Sequence, residues 1–471
     1  MEKRNKTIFI LINRSFLIRN ILRSGTLELL KKKRYNIVIF FAAPVPQYLR
    51  DEFEDDQVKL HGFEVSRTGR LRRLFNKTKR YVIVTRNTKY SAKYIKLLEN
   101  NGLPNKERII SRKKKPTHRI YIELAIAYIL SAIPPLKFFI RWGEPFFFPE
   151  HSKRLKDYFD TYKPDLIFST STGGTFEYPF IKEARRRSVK TLSIPKSWDN
   201  INNEFIPLVP DRLVVQNHAS RKSAEDIQKI PRDRISVVGM PHFDWYKKKE
   251  ILKSRKEHLE SKGLDPDRAL IFFGSEGIWA PNDHLIAEKL QESIEKDEFV
   301  KPCQLLVRPH YSNVREDVFK NLRGKSYVSV DSFRIVDFLI DKWDQSLDET
   351  IDFVNSVAHC DMMISIASSL SLDAAAMNKP SISPGFWGEY AGGKDVTGSK
   401  LYSTDHVHWL MSSGGVWKVD SYDELKKAIN AYLENPKLHE EERKRTIEKL
   451  CYKLDGKASE RLVEVIESMF V

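Results

Sequence analysis

Short apolar runs recur along this chain, each followed by a stretch with helical periodicity, and that alternation restricts the fold more than any other feature. Ile8 to Ile12, Asn36 to Phe41, Tyr81 to Thr85, Leu166 to Ser169, Lys190 to Ile194 and Leu213 to Gln216 read as one set of buried strands. Ala269 to Phe273, Gln304 to Arg308, Tyr327 to Val330, Met362 to Ile366 and Pro380 to Ser383 read as a second set. Strands buried on both faces and spaced by helices build parallel sheets. The expected fold class is therefore α/β, with two Rossmann-like domains. The joint falls between Tyr246 and Leu264, a lysine-rich helical stretch. This divides the chain into a first domain over 1–250, a second over 262–425, and a helical tail over 426–471 expected to pack back across the first.

Composition excludes several classes. The 471 residues are 41% hydrophobic and 30% charged, which suits an ordinary globular protein of two or three domains. Cys303, Cys360 and Cys451 are far apart with no C-x-x-C pattern, so neither a disulfide framework nor a cysteine zinc site is expected, and a cytoplasmic setting fits. The start, MEKRNKTIFILINRSF, reads as a first strand and not as a signal peptide. There is no G-x-x-x-x-G-K-[ST], H-E-x-x-H or G-x-S-x-G, which argues against a P-loop ATPase, a zincin and an α/β-hydrolase.

The net charge of +17 belongs to one end: residues 1–120 hold 30 Lys+Arg against 10 Asp+Glu, leaving 50 against 53 for the rest. Lys31 to Arg34, Arg70 to Arg73 and Arg112 to Lys115 are clusters that attract anionic lipid or nucleic acid. Beside the last lies Ile120 to Trp142, IYIELAIAYILSAIPPLKFFIRW, followed by Phe146-Phe147-Phe148. Its longest charge-free apolar run, Leu124 to Leu136, is too short to span a bilayer. The segment reads either as an interfacial membrane element beside a basic surface or as a buried core helix. No aromatic-interleaved basic motif of an RNA module is present, so a nucleic-acid partner is not expected.

Open parallel sheets place their ligand crevice at the carboxyl ends of the strands. In the second set those ends are polar. Ala269 to Phe273 runs into Gly274-Ser275-Glu276-Gly277, Gln304 to Val307 into Arg308-Pro309-His310, and Met362 to Ile366 into Ser368, Ser369 and Ser371 at a helix start, with Asp373 one turn on. Backbone N–H groups at a helix start and serine hydroxyls donate to phosphate, Arg308 is a permanent bidentate cation, and Asp373 can accept from vicinal hydroxyls such as those of a ribose. The plain alternative is that a serine only caps the helix. In the first set, Thr170 to Thr175 with Gly173 and Gly174 follows one strand, and Pro195-Lys196-Ser197-Trp198-Asp199-Asn200 follows the next. Trp198 can stack on a sugar ring and Asp199 can take a proton from a hydroxyl; the alternative is an Asx turn beside a packing tryptophan. His406 and His408 are read as packing residues, because no third metal ligand is identifiable beside them.

The pair formed by Leu306 to Asn313, LVRPHYSN, and Cys360 to Ser383 resembles the His-Pro and Ser-Ser motifs of nucleotide-dependent GT-B transferases, CDP-glycerol glycerophosphotransferases and surface-polysaccharide transferases among them. The order here is Pro309-His310 and not His-Pro. Val237 to Asp244, VVGMPHFD, is similar to the V-x-G-x-P-x-x-D turn that closes the first domain of many GT-B proteins, nucleotide-sugar epimerases included. Glu441 to Arg461 looks like the C-terminal helices of surface-polysaccharide transferases.

The resemblance implies a GT-B glycosyltransferase that binds its nucleotide-sugar donor in the second domain and a glycan or lipid-linked acceptor in the first, peripheral on the inner face of the membrane. Arg308, His310, Ser368, Ser369 and Ser371 would hold the departing phosphate, with Gly274, Ser275 and Asp373 on the nucleotide. Asp199 would be the base, and Gly173, Gly174, Trp198 and Asn200 would shape the acceptor pocket. No cofactor and no metal are expected, since the phosphate-binding side chains replace a cation. A CDP-glycerol-type polyol phosphotransferase is the nearest alternative; a nucleotide-sugar 2-epimerase and a non-catalytic membrane- or RNA-binding protein are further ones.

Overall fold

The strand β1 (Thr7–Ile12), TIFILI, is buried at every position, as an apolar run must be when helices cover both faces of a sheet. A computed structural model describes residues 4–65, 69–87, 117–148, 152–203, 205–280, 282–311, 317–332, 334–386 and 402–470. The basic cluster Arg112 to Lys115, and Ser312 and Asn313 of the LVRPHYSN segment, lie outside the described residues. β1 pairs in parallel with β2 (Asn36–Phe41) on one side and β4 (Leu166–Ser169) on the other. With β3 (Val58–Gly62), β5 (Lys190–Ser193), β6 (Arg212–Val215) and β7 (Ile235–Val237) they form a seven-stranded parallel sheet in the order β3-β2-β1-β4-β5-β6-β7.

The second sheet repeats the plan. β8 (Ala269–Gly274) sits between β9 (Cys303–Arg308) and β11 (Met362–Ser365), and β10 (Val328–Val330), β12 (Ser381–Pro384) and β13 (Trp417–Val419) complete the order β10-β9-β8-β11-β12-β13. In each sheet the winding reverses beside the first strand, so the crevices open beyond β1 and β4 and beyond β8 and β11.

Two expectations are corrected. Tyr81 to Thr85 is no strand: Tyr81 ends the helix Arg70–Tyr81, and Val82 and Ile83 bury against Ile140 and Phe205 in a small separate cluster. A β-branched run that finds side-chain partners has no need of a ladder. The expected strand sets also lack β3, β7 and β13. All three lie at sheet edges, where β3, VKLHG, exposes Lys59 and β7 and β13 have only three residues each. Edge strands are short and carry charge, which erases the apolar signal.

The two halves are laced together by exchanged segments. Val336 and Phe338, between β10 and the helix Leu347–His359, are buried in the core of the first sheet. Beside them the Arg23 guanidinium is sunk between Asp344 at 2.7 Å and Glu52 at 2.6 Å, and the Tyr48 hydroxyl donates to Asp344 at 3.0 Å. The tail divides. Helix Tyr422–Glu434, which runs across position 425, places Leu425, Ala428 and Ile429 in the second core. Arg443, on the helix Glu440–Leu450, is fully buried and donates to the carbonyls of Leu438 and Pro436 and to the Asn378 side chain.

The end of helix Glu440–Leu450 already meets the first domain, where the Leu450 carbonyl accepts from the Asn217 amide at 2.8 Å. The last helix, Ala458–Ser468, crosses back and puts Leu462, Val463 and Ile466 into the first core. Its start is capped from the first domain: the Asp244 carboxylate accepts from the backbone N–H groups of Ala458 and Ser459 at 2.9 and 2.8 Å. Gly239, with φ +92°, lets the turn before Asp244 approach that helix.

Candidate active site

A cleft of about 320 Å³ lies between the two sheets, lined by the strand ends of both. Gly274 closes β8 where a Cβ would fall 2.2 Å from Leu370, so the absence of a side chain lets the β8 and β11 ends meet. Ser275 then turns inward. Its N–H donates to the Arg308 carbonyl, and its hydroxyl donates to buried Asp283 at 3.2 Å while accepting from Gly277 N–H. Ser275 is thus a hinge of the wall whose own donors are spent inside the protein.

Arg308 ends β9 with its guanidinium 4.6 Å from the Phe353 ring centroid and its Nη1 3.1 Å from Asp331. Lys262 holds the other Asp331 oxygen at 2.8 Å and Asp352 at 2.6 Å, so one carboxylate orients Arg308 while a second cation shares it. His310 follows, its ring 4.2 Å from Tyr311, which stacks on Trp343. Burial pushes the His310 imidazole down to about 4, so it is neutral at pH 7 and serves as a hydrogen-bonding group and not as a cation.

At the β11 end the chain turns through Ala367, at φ +48°, a left-handed conformation held by the Ser383 hydroxyl accepting from its N–H at 2.9 Å. Ser368 is buried, and its hydroxyl bonds the Glu276 carboxyl. Ser369 is exposed in the cleft and makes no capping bond. Ser371 does not reach the cleft; its buried hydroxyl accepts from Ser381 at 3.0 Å. The N–H groups of Ser371 and Leu372 already donate to the Ser368 and Ser369 carbonyls, so the helix start offers fewer donors than its position implies. Asp373 faces the cleft and accepts from the Tyr246 hydroxyl at 2.6 Å. Burial raises it to about 6, against the pull of that bond and of Arg19 and Arg308.

The first domain supplies the opposite wall through Phe16 to Ile21, Ile194 to Trp198 and Met240 to Phe243. Trp198 is 4% exposed and packs across the joint, with ring centroids 5.5 Å from His406 and 6.4 Å from Trp409, so its ring is committed to packing. Asp199 is held by the Asn200 amide at 3.1 Å. Trp198 still borders the cleft, whereas Asp199 does not line it, although the Asp199 charge acts on Glu276, Tyr311 and His406. Gly173 and Gly174 lie elsewhere, at the β4 end, where a Cβ would meet the Tyr178 ring at 2.9 Å or the Glu177 carboxylate at 2.6 Å. His406 and His408 are two apart on the helix Asp405–Ser413, not on a strand, and therefore point apart.

Three side chains were not singled out from sequence. Arg19, on the helix Ile18–Thr26, enters the cleft from the first domain and donates to Asn20 at 2.9 Å and Gln345 at 2.8 Å. Among the described residues it forms no ion pair with a carboxylate, although burial lowers its pKa. Glu276 is raised to about 8 by burial, opposed by Ser368 and reinforced by Asp283 and Asp199, so it carries a proton at pH 7. Asp283 behind it is raised to about 7 by burial. Arg19 follows the end of β1, so the strand-end rule that located Arg308 applies to it as well.

The cleft therefore presents two guanidinium groups from opposite domains, a neutral histidine, a protonated carboxyl and a carboxylate, a set whose donors and acceptors are chemically suited to a phosphate ester beside hydroxyls. Among the described residues, no three His, Cys, Asp or Glu side chains gather as a metal site. The sequence matches no family model and no curated protein. Solved structures do match. A glycosyltransferase from Rickettsia africae ESF-5 is 12% identical, with 99% of each chain covered and a TM-score of 0.51. A UDP-GlcNAc 2-epimerase from Neisseria meningitidis bound to UDP-GlcNAc is 11% identical, covering 98% of this chain and 100% of that one, with a TM-score of 0.51. The wall teichoic acid polymerase TagF with CDPG is 12% identical, covering 99% of this chain and 88% of that one, with a TM-score of 0.51.

The fold is GT-B. In GT-B terms the cleft between the two sheets is the interdomain crevice, and Arg19 and Arg308 face each other across it.

Proposed function

We propose that this protein is a glycosyltransferase that moves a sugar from a nucleotide-activated donor to a surface glycan or its lipid-linked precursor, working at the inner face of the membrane. The observation that carries the reading is the meeting of Arg19 and Arg308, from different domains, beside Asp373 in one cleft. The Arg308 and Arg19 guanidinium groups, with the hydroxyl of Ser369 and neutral His310, stabilise the phosphate charge that grows as the glycosidic bond breaks. Asp373 accepts the ribose hydroxyls, and Asp199, placed beside the cleft lining with its charge acting on Glu276 and Tyr311, is the base assigned to the proton of an attacking hydroxyl that enters from the first-domain side. The two cations substitute for a metal ion, so the reaction needs no divalent cation, and chelation leaves the rate unchanged.

Likeness to TagF with CDPG supports a second reading, in which the same cleft transfers a polyol phosphate. The test is a thermal-shift panel of CMP, CDP, UDP, GDP and dTDP, followed by turnover with the activated donor of the nucleotide that binds. We expect one nucleotide to raise the melting temperature and Arg308→Ala to abolish that shift. No shift with any of the five, in a folded protein, overturns the donor site. Phosphorus retained in the product selects the polyol phosphotransferase, and turnover without an acceptor selects an epimerase.

A further inference from the structure

Helix Pro134–Phe147 is amphipathic the wrong way round. Lys137, Ile140, Arg141 and Glu144 lie on one stripe, spaced three and four apart, and that stripe faces the protein. Lys137 donates to the Ile227 carbonyl at 3.2 Å, Ile140 is 3% exposed, and Arg141 donates to the Gln228 carbonyl with its guanidinium 4.9 Å from the Phe205 ring centroid. Glu144 is fully buried between Arg72 at 2.5 Å and Lys182 at 2.9 Å. The opposite stripe, Phe138, Phe139, Trp142 and Phe146, is 68, 59, 51 and 62% exposed. A helix of a water-soluble domain turns its apolar stripe inward; this one is pinned by its charges and shows its aromatics.

The neighbouring elements extend that surface. Ile122, Ile126 and Ile129 are exposed on the helix Thr117–Ser131, which meets the aromatic helix at 92°. Leu71 and Leu74 are exposed on the helix Arg70–Tyr81, beside the exposed cations Arg70 and Arg73. Most of the large exposed apolar side chains among the described residues belong to these three helices. Among the described residues, no single helix is long and apolar enough to cross a membrane.

We infer that these three helices form a monotopic membrane seat, in which Phe138, Phe139, Trp142 and Phe146 enter the headgroup region of an anionic bilayer while Arg70 and Arg73 bind its phosphates. The choice of occupant rests on charge and side-chain type. A basic rim around Trp, Phe and Ile suits an anionic lipid interface, and the +20 balance of residues 1–120 supplies the long-range attraction. The membrane as partner follows the functional reading above; the surface and the residues that hold it do not depend on which group is transferred.

The test is flotation of the purified full chain with vesicles of phosphatidylcholine, with and without phosphatidylglycerol, at low and physiological salt. We expect flotation with the anionic vesicles. We expect the triple variant Phe138→Gln, Trp142→Gln, Phe146→Gln to bind about tenfold or more weakly while keeping its melting temperature, because none of the three side chains is in the anchoring stripe. Arg70→Glu with Arg73→Glu should remove most of the salt dependence. Failure of the wild-type protein to float, or unchanged binding by the triple variant, overturns the inference. So does a wild-type dimer that ignores vesicles and becomes monomeric in the triple variant, which would make a second copy the occupant. The nucleotide thermal shift is a separate readout: loss of flotation with the shift retained sinks only the membrane seat, and the reverse sinks only the donor site.

Discussion

The Tyr246 hydroxyl donates to the Asp373 carboxylate at 2.6 Å, and this bond ties the turn that ends the first domain to the helix that borders the second-domain side of the cleft. Tyr246 is buried, and burial next to Asp373 keeps its own phenol protonated. The bond helps hold Asp373 ionised against the burial that raises it to about 6.

Tyr246→Phe removes that support and moves the Asp373 midpoint upward, toward neutral pH. Nucleotide affinity at pH 7 should fall roughly fivefold, the worth of about 1 kcal/mol. In the wild-type protein affinity should decline as pH drops through about 6, and in the variant the decline should begin at higher pH. Calorimetric titration at several pH values checks it; an unmoved midpoint would show that Asp373 does not touch the ligand.

The Glu276 and Asp283 carboxyls are both raised by burial, to about 8 and about 7, and titrate as a coupled pair. The folded protein then holds protons that the unfolded chain has released, so stability falls as pH rises from the ordinary carboxylate range through about 8. Glu276→Gln should raise the melting temperature at pH 8.5, with little change at pH 4.5, and should flatten most of that slope. A parallel shift at both pH values would sink the assignment.

Breaking the Arg23 and Asp344 pair tests the lacing of the halves. Both side chains are almost fully buried, and Asp344→Ala leaves Arg23 with the partly exposed Glu52 as its carboxylate partner and the neutral Gln345 carbonyl. The cost should be about 3 kcal/mol in urea unfolding, because an under-compensated buried charge remains. Arg23→Met combined with Asp344→Leu should recover much of it. A double variant as weak as the single one would mean that shape, and not charge, is at stake.

Both sheets were legible in sequence through their central strands, because residues buried on two faces leave unbroken apolar runs such as TIFILI and ALIFF. Of the four edges only β10 was, since β3, β7 and β13 are short or carry charge. In the cleft, the strand-end rule reaches Arg308, His310, Ser368, Ser369 and Asp373, which the structure brings into one lining. Side-chain direction was beyond reach: Ser371 turns to Ser381 and Trp198 to His406, both decided by tertiary packing. Glu276 reads as an ordinary turn residue until burial changes its charge.

The crossing of the last helix has a consequence for synthesis. The hydrophobic interior around β1 includes Leu462, Val463 and Ile466 as well as Val336 and Phe338, so the sheet that leaves the ribosome first is finished last. The second sheet draws its strands from one uninterrupted stretch of chain, β8 to β13, and can assemble while the earlier half waits, exposed, for its missing wall. Shortening the chain before Ala458 should therefore damage the domain at the opposite end of the sequence more than the one beside the cut.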